Sequence, residues 1–319
     1  MICGKGITSV KNLTYTVFTP TYNRAHLLPV LFNSLCQQTF QDFEWLIVDD
    51  GSHDNTNQIV EDFRQTARFT IRYATQHHGG KHKAINLGVQ LAHGLLFGIA
   101  DSDDYYTDNA LESCFRHHEQ IAETERTRFA GVTGLCVTQT GQLIGSPFPR
   151  QVFDSDALML VAKRIGGDKA GFIRTDVMKQ FPFPEDLGTF VPEALIWNRI
   201  AAHYKTRYFN EVIMVRDYQL DGLSARIAQV RIEAPEASCR YYLELLHSKQ
   251  PLPVDVAVRY CSNYVRFSLH KTLGLKAQLA CVPSTTLFLA AAPLGFALYC
   301  RDKYQSKNVR SHSQQHSSA

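Results

Sequence analysis

The chain lacks any C-x-x-C pair: its eight cysteines, Cys3, Cys36, Cys114, Cys136, Cys239, Cys261, Cys281 and Cys300, are scattered. Neither a zinc site nor a disulfide framework is indicated, and a reduced, cytoplasmic protein is the expectation. Net charge is also scarce. A formal value of +3 over 319 residues gives no electrostatic footprint for nucleic acid, so no nucleic-acid partner is expected. The start, Met1-Ile2-Cys3-Gly4-Lys5, has no basic segment followed by an apolar core, and no signal peptide is expected. With 45% hydrophobic and 20% charged residues, the composition excludes a disordered chain. The length suits one large domain, or one domain with an appendage.

What is present centres on Gly98-Ile99-Ala100-Asp101-Ser102-Asp103-Asp104-Tyr105-Tyr106. The apolar run Leu95–Ala100 reads as a buried strand of a parallel sheet covered on both faces. Three carboxylates at its C-terminal end face the ligand crevice of an open α/β sheet. Clustered carboxylates repel one another unless a cation lies between them. A hard divalent ion, Mg²⁺ or Mn²⁺, on a diphosphate fits that demand. The alternative is an Asp/Ser-rich turn capping a helix that starts near Asp108.

The preceding chain alternates strand and helix. Tyr15–Thr19 is a strand stopping at Pro20, and Leu27, Leu28, Leu31, Phe32 and Leu35 recur at helical spacing. Phe43–Val48 is a second strand delivering Asp49-Asp50-Gly51-Ser52-His53-Asp54, with a helix carrying Ile59, Val60 and Phe63 behind it. Phe69–Tyr73 is a third, followed by Gln76-His77-His78-Gly79-Gly80-Lys81 and a helix over Lys83–Ala92. Such repeats imply parallel strands with right-handed crossovers, whose loops gather at one edge. There Asp50 can accept from a base N–H, Tyr22 can stack on a ring and Lys81 can neutralise a phosphate. Each also has a plainer reading as turn, cap or hinge. His77, His78 and His82 lack paired ligand spacing and read as solvated loop histidines.

Four of these stretches, in this order, resemble family 2 glycosyltransferases of the GT-A fold: Pro20-Thr21-Tyr22-Asn23-Arg24, Val48–Asp54, Gly79-Gly80-Lys81 with Ala84 and Asn86, and Asp101-Ser102-Asp103-Asp104. The resemblance runs from about Tyr15 to about Ser224 and is strongest before Asp108. It implies an α/β fold with a Rossmann-like, mostly parallel sheet flanked by helices, and a metal-dependent, inverting transferase that uses a nucleotide sugar, usually a UDP-sugar. By the same resemblance Pro20, Tyr22, Asn23 and Asp50 hold the nucleoside, with Lys81 near the nucleotide. Asp103 and Asp104 match the D-x-D region that holds the ribose and the Mn²⁺ or Mg²⁺ ion, with Asp101 in support.

The second half should supply the acceptor side. Phe129–Val137 and Gly167–Arg174 read as strands, and Phe190–Ala201 as a helix starting near Pro192. Taken alone, Glu193 is an N-terminal helix glutamate. Family 2 enzymes carry E-D before an apolar stretch and an arginine; with that arginine at Arg199, Glu193 falls on the general-base aspartate and Pro192 replaces the glutamate. Glu185 and Asp186 rank behind it. Arg216–Ser224 resembles the loop that closes over the donor, without the histidine or basic residue often found there, so it carries no expected metal role.

Beyond about 230 the composition changes. A catalytic domain over 13–230 is expected, then a helical extension over 231–304 and a disordered tail over 305–319. Val254–Lys276 is rich in basic and aromatic residues, and Leu279–Cys300 is nearly all apolar, though broken by Pro283 and Pro293. Basic residues flank it on both sides, which favours an interfacial or re-entrant segment over a span. The expectation is a glycosyltransferase at the inner face of the plasma membrane, in peripheral membrane contact, acting on a saccharide or lipid-linked saccharide acceptor. A nucleotidyltransferase would carry a glycine-rich basic loop near the first strand, which Pro20-Thr21-Tyr22-Asn23 is not. A non-catalytic nucleotide-sugar-binding protein is the other alternative.

Overall fold

A computed structural model describes residues 13–219 and 226–316 of the chain. The first half follows the expected alternation: β1 (Leu13–Thr21), α1 (Leu28–Cys36), β2 (Phe43–Asp49), α2 (Thr56–Thr66), β3 (Thr70–Thr75), α3 (Lys81–Leu91) and β4 (Gly94–Ile99). Next come β5 (Asp104–Tyr106), α4 (Ala110–Glu119), β6 (Phe129–Thr138), β7 (Val152–Ser155), α5 (Ala157–Ala162), β8 (Lys169–Arg174) and α6 (Thr175–Gln180). The remainder is α7 (Ala194–Ala201), β9 (Lys205–Arg216), α8 (Ile227–Glu233), α9 (Pro235–Leu246), α10 (Val254–His270), α11 (Leu275–Cys281) and α12 (Thr285–His316).

The sheet runs β3-β2-β1-β4-β8-β6-β9-β5, with β7 on β9. Its first four strands are parallel, whereas β8, β6 and the β5–β9 pair join antiparallel. The α/β fold therefore holds, with a mixed sheet whose parallel part is the N-terminal half. The regular strand–helix spacing that signals parallel crossovers ends at β4. One face of β1 and β2 buries Tyr15, Val17, Trp45 and Ile47 with Leu28, Leu31 and Leu35 of α1 and Val60 of α2. Phe18 stacks on Phe97 from the other face, ring centroids 5.0 Å apart. Both strands are buried on both faces, and their buried polar pair is satisfied internally, Thr16 Oγ1 donating to Glu44 at 2.7 Å. Pro20 lies inside β1 and not after it. The Phe18 carbonyl faces β4 by accepting from Ala100 N at 2.9 Å, and alternation turns position 20 to that same side, where the β1–β4 ladder has ended.

Two compact units emerge, and they interleave where a single boundary near 230 is expected. The first contains the described residues up to Phe153, Asp168–Pro182 and Arg207–Asp217; the second contains Asp154–Gly167, Phe183–Thr206 and the chain from Tyr218 onward. Glu193 thus belongs with the C-terminal helices, and the Asp101–Asp104 stretch with the sheet.

In the second unit α9, α10 and α12 share a core of Tyr242, Tyr264, Phe267, Phe288 and Ala291. Gly295 lets α12 approach α10: a Cβ there would lie 2.6 Å from the Ser262 carbonyl oxygen. The apolar stretch 279–300 is two helices, because the Val282-Pro283-Ser284 break separates α11 from α12. No helix among the described residues is long and apolar enough to cross a membrane. One side of α12 buries Phe288 and Ala291, while Leu289, Leu294 and Phe296 are exposed. The helix continues to His316, through most of the stretch expected to be disordered, since no glycine or proline follows Gly295 to stop it.

A buried ion cluster clasps α12 to α10. Arg266 donates to both carboxylate oxygens of Asp302, from Nε at 2.6 Å and from Nη2 at 2.7 Å, and His270 Nε2 lies 3.0 Å from Asp302. Asp302 is only 2% exposed. Removing one member of a buried pair leaves the other charge uncompensated. Asp302→Ala should therefore lower unfolding stability by about 3–5 kcal/mol in chemical denaturation, with the loss concentrated in the C-terminal helices.

Candidate functional site

Parallel register brings four loops of the first unit to one edge. Thr21 pairs with Asp49, Asp49 with Thr75, and Phe18 with Ile99, so the segments after β1, β2, β3 and β4 start at similar heights, at the C-terminal edge where open α/β sheets bind ligands.

The first loop is stapled to the second. Asn23 adopts φ 53°, a left-handed conformation that asparagine tolerates. Its backbone N–H donates to Ser52 Oγ at 2.8 Å, and its side-chain oxygen accepts from His53 N at 2.7 Å. Asp49 accepts from Ser52 N at 2.8 Å and from the Tyr73 hydroxyl. Burial and that acidic neighbour push the Tyr73 hydroxyl above its ordinary range. Asn23 and Asp49 thus shape the loops.

Asp50 organises the third loop. One carboxylate oxygen accepts from Gln76 Nε2 at 2.7 Å and Gly79 N at 2.8 Å. The other accepts from Gly80 N at 2.8 Å and lies 2.9 Å from His78 Nδ1. Four partners fill a carboxylate's acceptor positions. Gly80 takes φ 99° immediately before α3, a backbone state that glycine adopts at little cost, and this sets Lys81 as the first residue of the helix. Tyr22, 38% exposed, stacks on His78 with ring centroids 4.1 Å apart. His82, read as a solvated loop residue, is buried in α3.

The acidic stretch follows β4 directly. Asp101, Asp103 and Asp104 bring ligand atoms within 4.8 Å of one another, the one group of three or more His, Cys, Asp or Glu among the described residues placed to hold a metal ion. The helix-capping alternative fails, because α4 is capped at Asn109 without any side-chain bond. Three cations face the cluster: Lys81 Nζ lies 2.5 Å from Asp101, Arg24 Nη1 lies 2.8 Å from Asp103, and Arg216 pairs with Asp104 while lying 3.6 Å from Asp101. Burial pushes the Asp104 carboxyl up to about 8, Arg216 opposes that, and Asp101 and Asp103 add to it by repulsion. At Asp101 burial also acts upward, but Lys81 and Arg216 outweigh it and hold the carboxyl below its ordinary range. An all-oxygen set of close carboxylates, one of them costly to ionise, fits a hard divalent cation.

Two of these residues had no assigned role in the sequence. Arg24 lies within the quoted Pro20–Arg24 motif, and Arg216 meets Asp104 only because β9 returns antiparallel beside β5, 112 positions later. In the second unit, Glu193 is the N-cap of α7, one position ahead of the first turn expected for it, and its carbonyl accepts from Ile196 N and Trp197 N. Arg199 anchors the same helix to α9 by a two-point bond to Glu244, at 2.8 and 2.6 Å. Leu220-Asp221-Gly222-Leu223-Ser224, most of the expected donor-closing loop, lies outside the described residues.

Comparison with known proteins gives these loops a context. Residues 16–127 match the family model for glycosyl transferase family 2. Poly(ribitol-phosphate) beta-N-acetylglucosaminyltransferase TarS of Staphylococcus aureus (strain MW2) is 32% identical over 134 residues, which is 40% of this chain and 23% of TarS. The chain thus matches less than a quarter of that relative's length. The crystal structure of S. aureus TarS 1-349 in complex with UDP-GlcNAc superposes with a TM-score of 0.59 at 20% identity, over 88% of this chain and 79% of that one. Mannosyltransferase PcManGT from Pyrobaculum calidifontis, in complex with GDP-Man and Mn²⁺, gives 0.57 at 16% identity, over 92% and 88%. Both share the fold.

The saturation of Asp50 generates a test. Asp50→Asn would turn an amide N–H₂ toward backbone donors, leaving Gly79 N or Gly80 N unsatisfied. A stability loss of about 1–3 kcal/mol and faster amide hydrogen exchange at Gly79 and Gly80 are expected.

Proposed function

Because residues 16–127 place the chain in glycosyltransferase family 2, we propose that it is a metal-dependent inverting transferase. It moves sugar from a nucleotide-diphosphate sugar, a UDP-sugar, to a hydroxyl of a cell-surface polysaccharide or lipid-linked oligosaccharide. The observation that carries this reading is the convergence of Asp101, Asp103 and Asp104 with Lys81, Arg24 and Arg216 on the edge where Tyr22 and Asp50 also end. Carboxylates for a cation and cations for a diphosphate are what a donor of that class needs. The fold neighbours named above with UDP-GlcNAc and with GDP-Man and Mn²⁺ support the donor class and the metal.

In this reading Asp103 and Asp104 would hold a Mn²⁺ or Mg²⁺ ion, with Asp101 in support, and such an ion would supply positive charge against that growing on the departing nucleoside diphosphate. Pro20, Tyr22, Asn23 and Asp50 form the nucleoside side. Tyr22 offers a ring to the base once His78 leaves it, and Asp50 and Asn23 act through the loops they hold. Lys81 neutralises phosphate charge. Glu193 takes the proton from the acceptor hydroxyl as its oxygen attacks the anomeric carbon.

We also place the chain at the inner face of the plasma membrane, in peripheral contact with anionic lipid. Leu275, Leu289, Leu294, Phe296 and Tyr304 are exposed on α11 and α12, with Lys276, Arg301 and Lys303 exposed among them. Apolar side chains beside basic ones suit an interfacial helix.

Two experiments test these assignments. With Mn²⁺, a UDP-sugar and a saccharide acceptor, Glu193→Gln should keep donor affinity while turnover falls by roughly 10² to 10⁴, whereas Asp104→Ala should lose both. Turnover near the parental rate in Glu193→Gln would remove the base assignment. Separately, the triple variant Leu289→Ser, Leu294→Ser, Phe296→Ser should keep its melting temperature and lose cosedimentation with anionic vesicles; undiminished binding would refute the lipid contact.

A further inference from the structure

The carboxylate cluster is neutralised by three segments distant in sequence: the turn after β1 supplies Arg24, the start of α3 supplies Lys81, and the end of β9 supplies Arg216. Three carboxyl-bearing and three basic side chains meet there. Arg216 is the most firmly placed of the cations. Asp104 and Arg216 are direct partners in the antiparallel β5–β9 pair, so the backbone ladder holds the guanidinium over the carboxylate. Its side chain is 18% exposed, against 24% for Arg24 and for Lys81. It also reaches toward Asp101 at 3.6 Å, bridging two of the three carboxylates that a divalent ion would use.

A guanidinium and a divalent cation cannot both sit against the same carboxylate oxygens, because like charges at contact distance repel strongly in a partly dry site. A dication entering the cluster adds positive charge beside three basic side chains, and a nucleotide-sugar diphosphate brings negative charge that offsets it. A planar guanidinium released from a carboxylate is suited to phosphate oxygens, which it can meet with two N–H groups at once.

We infer that Arg216 is a positioning residue of the donor site: the resident counter-cation of Asp104 and Asp101 in the donor-free protein, which passes to the donor diphosphate when a divalent ion takes those carboxylates. The inference rests on the metal and donor reading proposed above and adds a consequence to it. Metal and nucleotide each bind poorly alone and favour one another, and Arg216 carries a share of that reciprocal coupling.

The test measures binding, not turnover. Mn²⁺ affinity is determined without nucleotide by the electron paramagnetic resonance of free Mn²⁺, and UDP affinity at saturating Mn²⁺ by calorimetry, for the parental protein, Arg216→Gln and Arg216→Lys. Removing the resident cation should tighten Mn²⁺ binding without nucleotide by about tenfold or more and weaken UDP binding with Mn²⁺ by a similar factor. Arg216→Lys keeps the charge and loses the fork, so its Mn²⁺ affinity should stay near the parental value while UDP binding weakens. Unchanged or weaker Mn²⁺ binding in a folded Arg216→Gln overturns the inference. If that variant does not fold by circular dichroism, Arg24→Gln removes a second cation of the same cluster from a more exposed position and should also tighten Mn²⁺; no tightening there is equally fatal. A parental protein that binds neither Mn²⁺ nor UDP would overturn the donor-site reading itself, an outcome distinct from an Arg216 variant that merely resembles its parent.

Discussion

Three carboxylates whose oxygens lie within 4.8 Å of one another do not readily share a partly buried edge unless positive charge stands among them, and much of the first unit serves that requirement. The cations come from the ends of β1 and β9 and from the first turn of α3. Each has to be delivered by backbone. Lys81 arrives because Asp50 pins Gly79 and Gly80, Arg24 because Asn23 staples its loop to the next, and Arg216 because β9 lies antiparallel to β5. Charge balance at one edge thus ties together elements that share little else.

The same dependence explains a division of labour among the site residues. Asp50 and Asn23 have their polar atoms engaged by neighbouring loops, and Tyr22 has a ring neighbour in His78. Such residues hold the loops in place, whereas Asp103, Asp104 and Lys81 carry the charges of the edge. A burial-raised carboxyl at Asp104 is costly to leave ionised and favours a cation when one is present.

The helical unit depends on a different constraint. Its core aromatic residues pack α9, α10 and α12 together, and the Arg266–Asp302–His270 cluster fixes α12 along α10. An apolar segment that satisfies part of its surface this way need not enter a membrane. Leu289, Leu294 and Phe296 remain exposed on α12, with Arg301 and Lys303 exposed farther along it.

Local pattern alone determined a good deal here. β-branched and aromatic residues marked β1 and β2, an uninterrupted apolar run marked β4, and helical spacing marked α1. The ordered motifs from Pro20 to Asp104 marked the loops that gather at one edge, since turn residues and carboxylates are short-range signals. Tertiary structure alone decided the rest. That Asp50 is saturated by Gln76, His78, Gly79 and Gly80, that His82 is buried, and that Arg216 is the counter-ion of Asp104 all depend on which strands lie side by side. So does the assignment of Glu193 to the helical unit. Antiparallel return of β8 and β9 and the packing of α12 on α10 are long-range pairings, and no local periodicity encodes the partner of a strand edge or of a helix face.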